Sequence, residues 1–240
     1  MNRLVRAPAL CFALCVGLCL GLGIGLGSPA AWAAGRPSFD CAKARSPVEK
    51  AICADGALAD QDASIGNRFG KARKSFDAAT AKALTEDQRW FVQVRDEAYA
   101  SPPGDGTPQK ELADRLKYRD DFLASLVFKR RQGFEGDWEN LAGGISIRKQ
   151  PDGRLSFDGS AAHPENGRWV CDVRGVGAVK GGALVVETID AEGWTLTLVR
   201  KGAGLALAER APAGAEDAAG RPYCGLNGAL GGVYFPVSRP

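Results

Sequence analysis

The chain has 240 residues and little that could do chemistry through imidazole: it carries one histidine, His163. A single histidine argues against His-rich metal sites and against most catalysis that moves a proton through a ring nitrogen. Charge of one sign is also scarce. The 31 Lys and Arg are balanced by 28 Asp and Glu, a net of +3, too small to suggest a nucleic-acid partner. No Cys-x-x-Cys pair occurs, which argues against a zinc site. Gly-x-Ser-x-Gly is missing, and no Gly-x-Gly-x-x-Gly or phosphate loop follows a strand pattern. Neither a nucleophile elbow nor a nucleotide cradle is therefore expected. No cofactor is implied. What remains is ordinary globular composition, 45% apolar and 25% charged, in a length that suits one large domain or two small ones.

Residues 1–33 read as an address. Arg3 and Arg6 open a segment whose apolar run extends from about Ala7 to Leu26, and Ala31-Trp32-Ala33 places small residues where a signal peptidase reads. Cleavage after Ala33 is expected. An uncleaved anchor is the alternative, because the run is long enough to span a bilayer, although Gly17, Gly21, Gly23, Gly25 and Gly27 weaken it as a helix. Cys11, Cys15 and Cys19 leave with this segment. Leu10, Leu14 and Leu18 precede them where lipidation wants a small residue. Any membrane contact is expected only through this segment, should it stay attached. The charge left is 29 basic against 28 acidic groups.

Four cysteines remain: Cys41, Cys53, Cys171 and Cys224. An even count in an exported chain reads as two disulfides. Of three possible pairings, Cys41 with Cys53 and Cys171 with Cys224 is the simplest, since each pair lies within one segment of like character. Cys224 is expected to pin the C-terminal strand. The location that follows is periplasmic or secreted.

The chain changes character at Gln132-Gly133. Residues 34–131 carry 18 basic and 15 acidic groups, and residues 132–240 carry 11 and 13, a mild difference that steers nothing. The first half reads as helical. Ser46-Pro47-Val48-Glu49 is a capping-box start. Leu58, Ile65, Phe69, Ala72 and Phe76 form one apolar stripe at helical spacing. Thr85-Glu86-Asp87-Gln88 reads as a second capping box, opening a helix with Trp90, Phe91 and Val94. Thr107-Pro108 starts another, running to about Lys129. The second half reads as short alternating strands: Ile145–Ile147, Leu155–Phe157, Trp169–Val173, Leu184–Ile189, Trp194–Val199, Leu205–Ala208 and Val233–Pro236. An α+β protein follows, with an N-terminal all-α helical domain (34–131) and a C-terminal antiparallel β-barrel or sandwich (132–240).

The block Ser38-Phe39-Asp40-Cys41-Ala42-Lys43-Ala44 with Ser46-Pro47-Val48-Glu49-Lys50-Ala51-Ile52-Cys53 resembles the opening signature of the LprI-type lysozyme-inhibitor N-terminal domain family. Gln88-Arg89-Trp90 and Arg95-Asp96 are similar to that family's second signature. The likeness runs from about Pro37 to Leu126. It implies an exported bacterial helical domain and inhibition of lysozyme, the enzyme that hydrolyses peptidoglycan. Family members commonly carry two further cysteines, and the matching places here look like Ala98 and Glu111. One whole disulfide is thus absent, at a cost of roughly 2–3 kcal/mol for a short loop. The β half is not recognised. It is loosely similar to the small β-barrel inhibitors of c-type lysozyme but lacks their Ser-Gly-x-x-Tyr loop, so their mechanism does not transfer.

Several residues stand out against this frame. Trp90, Arg95 and Asp96 fall within two turns of one helix. Arg95 and Asp96 are neighbours in sequence, so each is expected to pair with another helix rather than with the other. Glu135, Asp137 and Glu139 would share one face of a strand. They could meet a basic partner such as lysozyme, or act as paired acids on a glycoside, although a solvated edge is the plainer reading. His163 reads as a surface residue. The leading function is binding without catalysis, as an inhibitor of a lysozyme or peptidoglycan hydrolase acting by cleft or surface blockade. The alternatives are a non-inhibitory envelope ligand-binding or scaffold protein, and a carboxylate-dependent glycan hydrolase. An open apolar barrel mouth would favour ligand binding, and a barrel filled by side chains a protein-facing surface.

Overall fold

The computed structural model describes residues 35–189, 191, 193–215 and 220–238. The expected leader and cleavage site lie outside the described residues. Among the described residues no helix is long and apolar enough to cross a membrane. Residues Ala33–Pro240 form one compact unit.

Each helix starts where a side chain can accept the free amides of its first turn. Ser46 and Glu49 make the reciprocal capping box of α1 (Pro47–Ala54). Asp55 caps α2 (Gly56–Ser75), Asp77 caps α3 (Ala78–Ala100) and Thr107 caps α4 (Pro108–Ser125). Two expected boundaries move. Thr85 does not open a helix: it lies inside α3 and its hydroxyl donates to the Ala81 carbonyl at 2.8 Å, the bond a hydroxyl makes in mid-helix. α4 ends at Ser125 rather than Lys129, because Val127 N–H donates to the Pro236 carbonyl instead of continuing the helix.

Eight antiparallel strands follow in up-and-down order and close into a barrel: β1 (Gly136–Glu139), β2 (Gly143–Lys149), β3 (Leu155–Ala162), β4 (Val170–Lys180), β5 (Ala183–Thr188), β6 (Thr195–Lys201), β7 (Gly204–Arg210) and β8 (Gly232–Val237). β1 closes on β8 through Asp137 opposite Val237 and Glu139 opposite Phe235. Alternation sends Trp138, Ile145, Ile147, Phe157, Val173, Leu184, Leu198, Leu205 and Tyr234 inward, all buried in one cluster. Eight strands leave an interior just wide enough for such side chains. Small residues make room for the large ones: a Cβ on Gly159 would lie 2.8 Å from the Phe157 ring.

β8 is buried on both faces. Tyr234 points into the barrel, while Phe235 and Val237 join the helical core with Phe91, Leu116, Phe122 and Leu126. The Phe122 and Phe235 rings meet edge to face at 6.1 Å. The helices thus pack along β8, and a second clasp holds the start of α3. Asp77 and Thr80 receive the Ala203 amide at 2.7 and 3.0 Å. Gly202 in that β6–β7 turn sits at φ +66°, and a Cβ there would strike the Asp77 carboxylate.

Two disulfides join Cys41 to Cys53 and Cys171 to Cys224, which suits an oxidising compartment. Cys224 does not belong to the last strand. It pairs across from Cys171 of β4 within the long β7–β8 connection, so the bridge pins that connection and not β8.

The barrel has two unlike ends. The loop end carries residues 140–142, 163–169 and the β7–β8 connection. The joint end carries the chain arriving from α4 and the turns at 150–154, 181–182 and 202–203.

Candidate functional site

At the loop end the helices and the barrel rim form a groove. α3 supplies Trp90, Phe91 and Val94, α4 supplies Asp114, Arg115 and Tyr118, and the rim supplies Leu141, Ala142, His163, Pro164 and Trp169. Two adjoining cavities of about 340 and 490 Å³ share Ala142 as a wall.

Charged struts hold the two walls apart at a set distance. Arg119, 1% exposed, donates from Nη1 to Asp87 at 2.6 Å and from Nε to Gln88 Oε1 at 2.7 Å. Its guanidinium lies over the Phe91 and Phe122 rings, 5.3 and 4.7 Å from their centroids. Burial pushes the Arg119 pKa down, against the pull of Asp87. Asp87 Oδ1 accepts the Leu141 amide at 3.0 Å, so the pair connects α4, α3 and the rim. Arg115 does the same on the other side. It pairs with Glu111 at 2.7 Å and donates to the carbonyls of Pro164 and Glu165. Glu111, which stands where the family resemblance leads one to look for a cysteine, is thus part of a latch between α4 and the barrel.

His163 is half-buried and lines this groove, so it is not a simple surface residue. Its amide donates to the Trp169 carbonyl at 2.9 Å and its ring meets the Trp169 ring edge to face at 5.7 Å. Arg168 Nη2 lies 2.9 Å from Nε2. A guanidinium only donates, so Nε2 is the acceptor of this contact. The Gly225 amide donates to the Val170 carbonyl at 2.8 Å beside the Cys171–Cys224 bridge. The rim loop is tied at both ends.

The residues singled out in sequence separate in space. Trp90 is at the groove, 37% exposed. Arg95 is buried on α3 and its Nε and Nη2 reach Asp96 at 2.8 and 2.7 Å. The expectation that these neighbours would not meet is corrected, because a long guanidinium folds back on the next residue where a short side chain could not. Arg95 also lies 4.0 Å from Asp62 of α2, and Asp62 accepts from Ser38 N and Oγ at 2.8 and 2.6 Å. This cluster fastens the opening segment to α2 and α3. Glu135 precedes β1 and is exposed, so it is not part of a strand face. Asp137 is bound by Arg148 at 2.8 and 2.9 Å, and Glu139 accepts from Tyr118 at 2.9 Å. Asp137 neutralises Arg148, Glu139 is held by a neutral phenol and Glu135 stands off the strand, so the three do not form a paired set. Among the described residues no cluster of His, Cys, Asp and Glu could hold a metal ion.

Sequence reading missed Trp169, Tyr118 and Arg115 as groove residues. Trp169 was visible only as the start of a strand, and nothing local says that α4 would face a barrel rim. The arrangement can recognise a shape: a fixed groove with indoles at one end, a phenol and an imidazole at the other, and its charges already matched. Comparison with protein-family models, with curated proteins and with solved structures finds no match.

Proposed function

We propose that this is an exported, periplasmic binding protein that inhibits a lysozyme or related peptidoglycan hydrolase by blocking its cleft or surface, with the loop-end groove as the contact face. The observation that carries the reading is the filled barrel. Trp138, Phe157 and Tyr234 occupy its interior, so recognition falls to the outside, which favours a protein-facing surface. The groove suits that role because its walls are braced by Arg119–Asp87 and Arg115–Glu111, and a stiff surface loses little freedom on association. Trp90 and Trp169 are of the type that anchors protein interfaces. The resemblance of residues 37–126 to the LprI-type inhibitor domain points the same way.

The test is the clearing of cell-wall suspensions by chicken-type and goose-type lysozymes with the processed chain in stoichiometric excess. Slowed clearing is expected, with Trp169→Ala weakening inhibition by tenfold or more, a loss of about 1.4 kcal/mol or above. Unchanged clearing with both enzymes would remove the reading. A second reading, a non-inhibitory ligand-binding protein, is favoured by the cavity of about 490 Å³ beside Trp90 and Trp169. It predicts that a soluble glycan or peptide quenches indole fluorescence with no effect on clearing.

A further inference from the structure

We propose that the joint end of the barrel, opposite the groove, docks on an anionic phospholipid surface through Lys129, Arg130, Arg131, Lys180, Arg200 and Lys201. The near-neutral total charge conceals this end, where cations outnumber the acids beside them. These six come from three separate stretches of chain: the α4–β1 joint, the end of β4 and the end of β6. Closure of the barrel brings them to one end.

The acids at this end are already engaged. Asp137 is bound by Arg148, and Asp152 by Arg154 at 2.6 Å. Asp77 accepts from the first turn of α3 and from Ala203. Glu86 of α3 is paired with Lys82 at 2.7 Å and also faces Lys201, and Glu135 remains, exposed, against six cations.

Arg131 and Arg200 show that the cations crowd one another. Their guanidinium carbons lie 4.8 and 4.6 Å from the centroid of the same buried indole, Trp138. They are therefore no farther apart than about one Debye length. Their hydrogen bonds go to neutral carbonyls, of Asp137 and Val237 for Arg131 and of Ala203 and Gly202 for Arg200. None of these cancels a charge. Burial lowers both pKa values, and for Arg200 the nearby Arg130 and Arg131 lower it further, against a weaker opposite pull from Asp77; Asp137 pulls the same way on Arg131. An arriving phosphate diester would relieve that repulsion. Lys129, Arg130, Lys180 and Lys201 are exposed around them. So is Val179, 55% exposed at the same rim, an apolar contact of the kind that accompanies basic residues at a headgroup layer. The spread of cations across the whole end fits a surface better than a single small anion.

The proposal stands apart from the groove. The experiment is co-sedimentation of the compact unit Ala33–Pro240, freed of the apolar leader, with vesicles of phosphatidylcholine alone or mixed with phosphatidylglycerol. Association with the mixed vesicles only is expected, lost at high salt. Arg130→Gln with Lys201→Gln, both at exposed positions, should weaken it about twenty-five-fold, two charges at roughly five-fold each. Arg210→Gln, which removes a charge at the loop end, should change it little. Equal binding to neutral vesicles would overturn the proposal. So would indifference to the double variant, an equal loss in Arg210→Gln, or binding of soluble inorganic triphosphate without vesicle association. Lysozyme clearing measured on the same double variant separates this surface from the groove, since the variant should inhibit as the parent does.

Discussion

At the scale of single residues, this molecule places charge where neutral packing would be simpler. Arg119 and Asp87 are 1% and 9% exposed at the side chain. Removing one member of a buried pair leaves the other without a counter-charge, which costs about 3–5 kcal/mol. Arg119→Met is therefore expected to lower the unfolding free energy by about that amount in urea titrations, and to loosen the groove wall at Leu141. Asp77 offers a pH test. Burial works against its charge, but the amides of Ala203, Thr80 and Ala79 and the Thr80 hydroxyl outweigh it and hold the pKa below the ordinary value of 3.8. A carboxylate depressed in the folded state contributes stability that is complete above its unfolded value and is lost as pH falls through the folded one. The acid limb of a stability–pH curve should accordingly be flatter in Asp77→Asn, below pH 3.8, than in the parent. Neither role was legible beforehand. Asp77 is followed by Ala78-Ala79-Thr80, with no Glu or Gln three positions on, so the Thr85 box eight residues later gave the stronger pattern. Arg119 looks like any polar residue of an amphipathic helix until the barrel rim is set beside it.

At the scale of elements, strands were more legible than helix ends. Alternation is a local signal, and each strand segment from Ile145 to Pro236 that the sequence marked lies within or overlaps a strand. Helix boundaries depend on which donor or acceptor the tertiary structure supplies, which is why α4 stops where Val127 turns to Pro236. The disulfides were legible as a pairing, but not in what they hold. Cys41–Cys53 spans 12 residues and Cys171–Cys224 spans 53. Loop entropy gives about 3 kcal/mol for the first and about 4 for the second. Cys171→Ser with Cys224→Ser should thus lower the melting temperature more than Cys41→Ser with Cys53→Ser, as read by scanning calorimetry. It should also release the loop around Trp169, which inhibition assays would register.

At the scale of the whole molecule, helices and barrel share a core. Phe235 and Val237 of β8 are buried among Phe91, Leu116 and Phe122, and the Asp77 clasp binds the β6–β7 turn next to β8. A fragment of residues 132–240 would expose that β8 face to water. It is expected to unfold at lower urea and to bind a hydrophobic dye, whereas the unit Ala33–Pro240 should melt in one cooperative step. The class, α then antiparallel β, could be read from composition and period alone. Closure could not, because the β1–β8 pairing joins Asp137 to Val237 across nearly the whole second half. The groove and the basic end are both products of that closure, so they too lay beyond a residue-by-residue reading.

That seam between the first and last strands has a kinetic consequence. A sheet without a free border offers no row of unsatisfied amides on which a second molecule could grow. Fibre growth from this barrel must wait for β1 to part from β8, and β8 cannot leave without dragging the helices' aromatic packing with it. Shelf life in a crowded solution should then follow the global unfolding rate, not the concentration of intact protein.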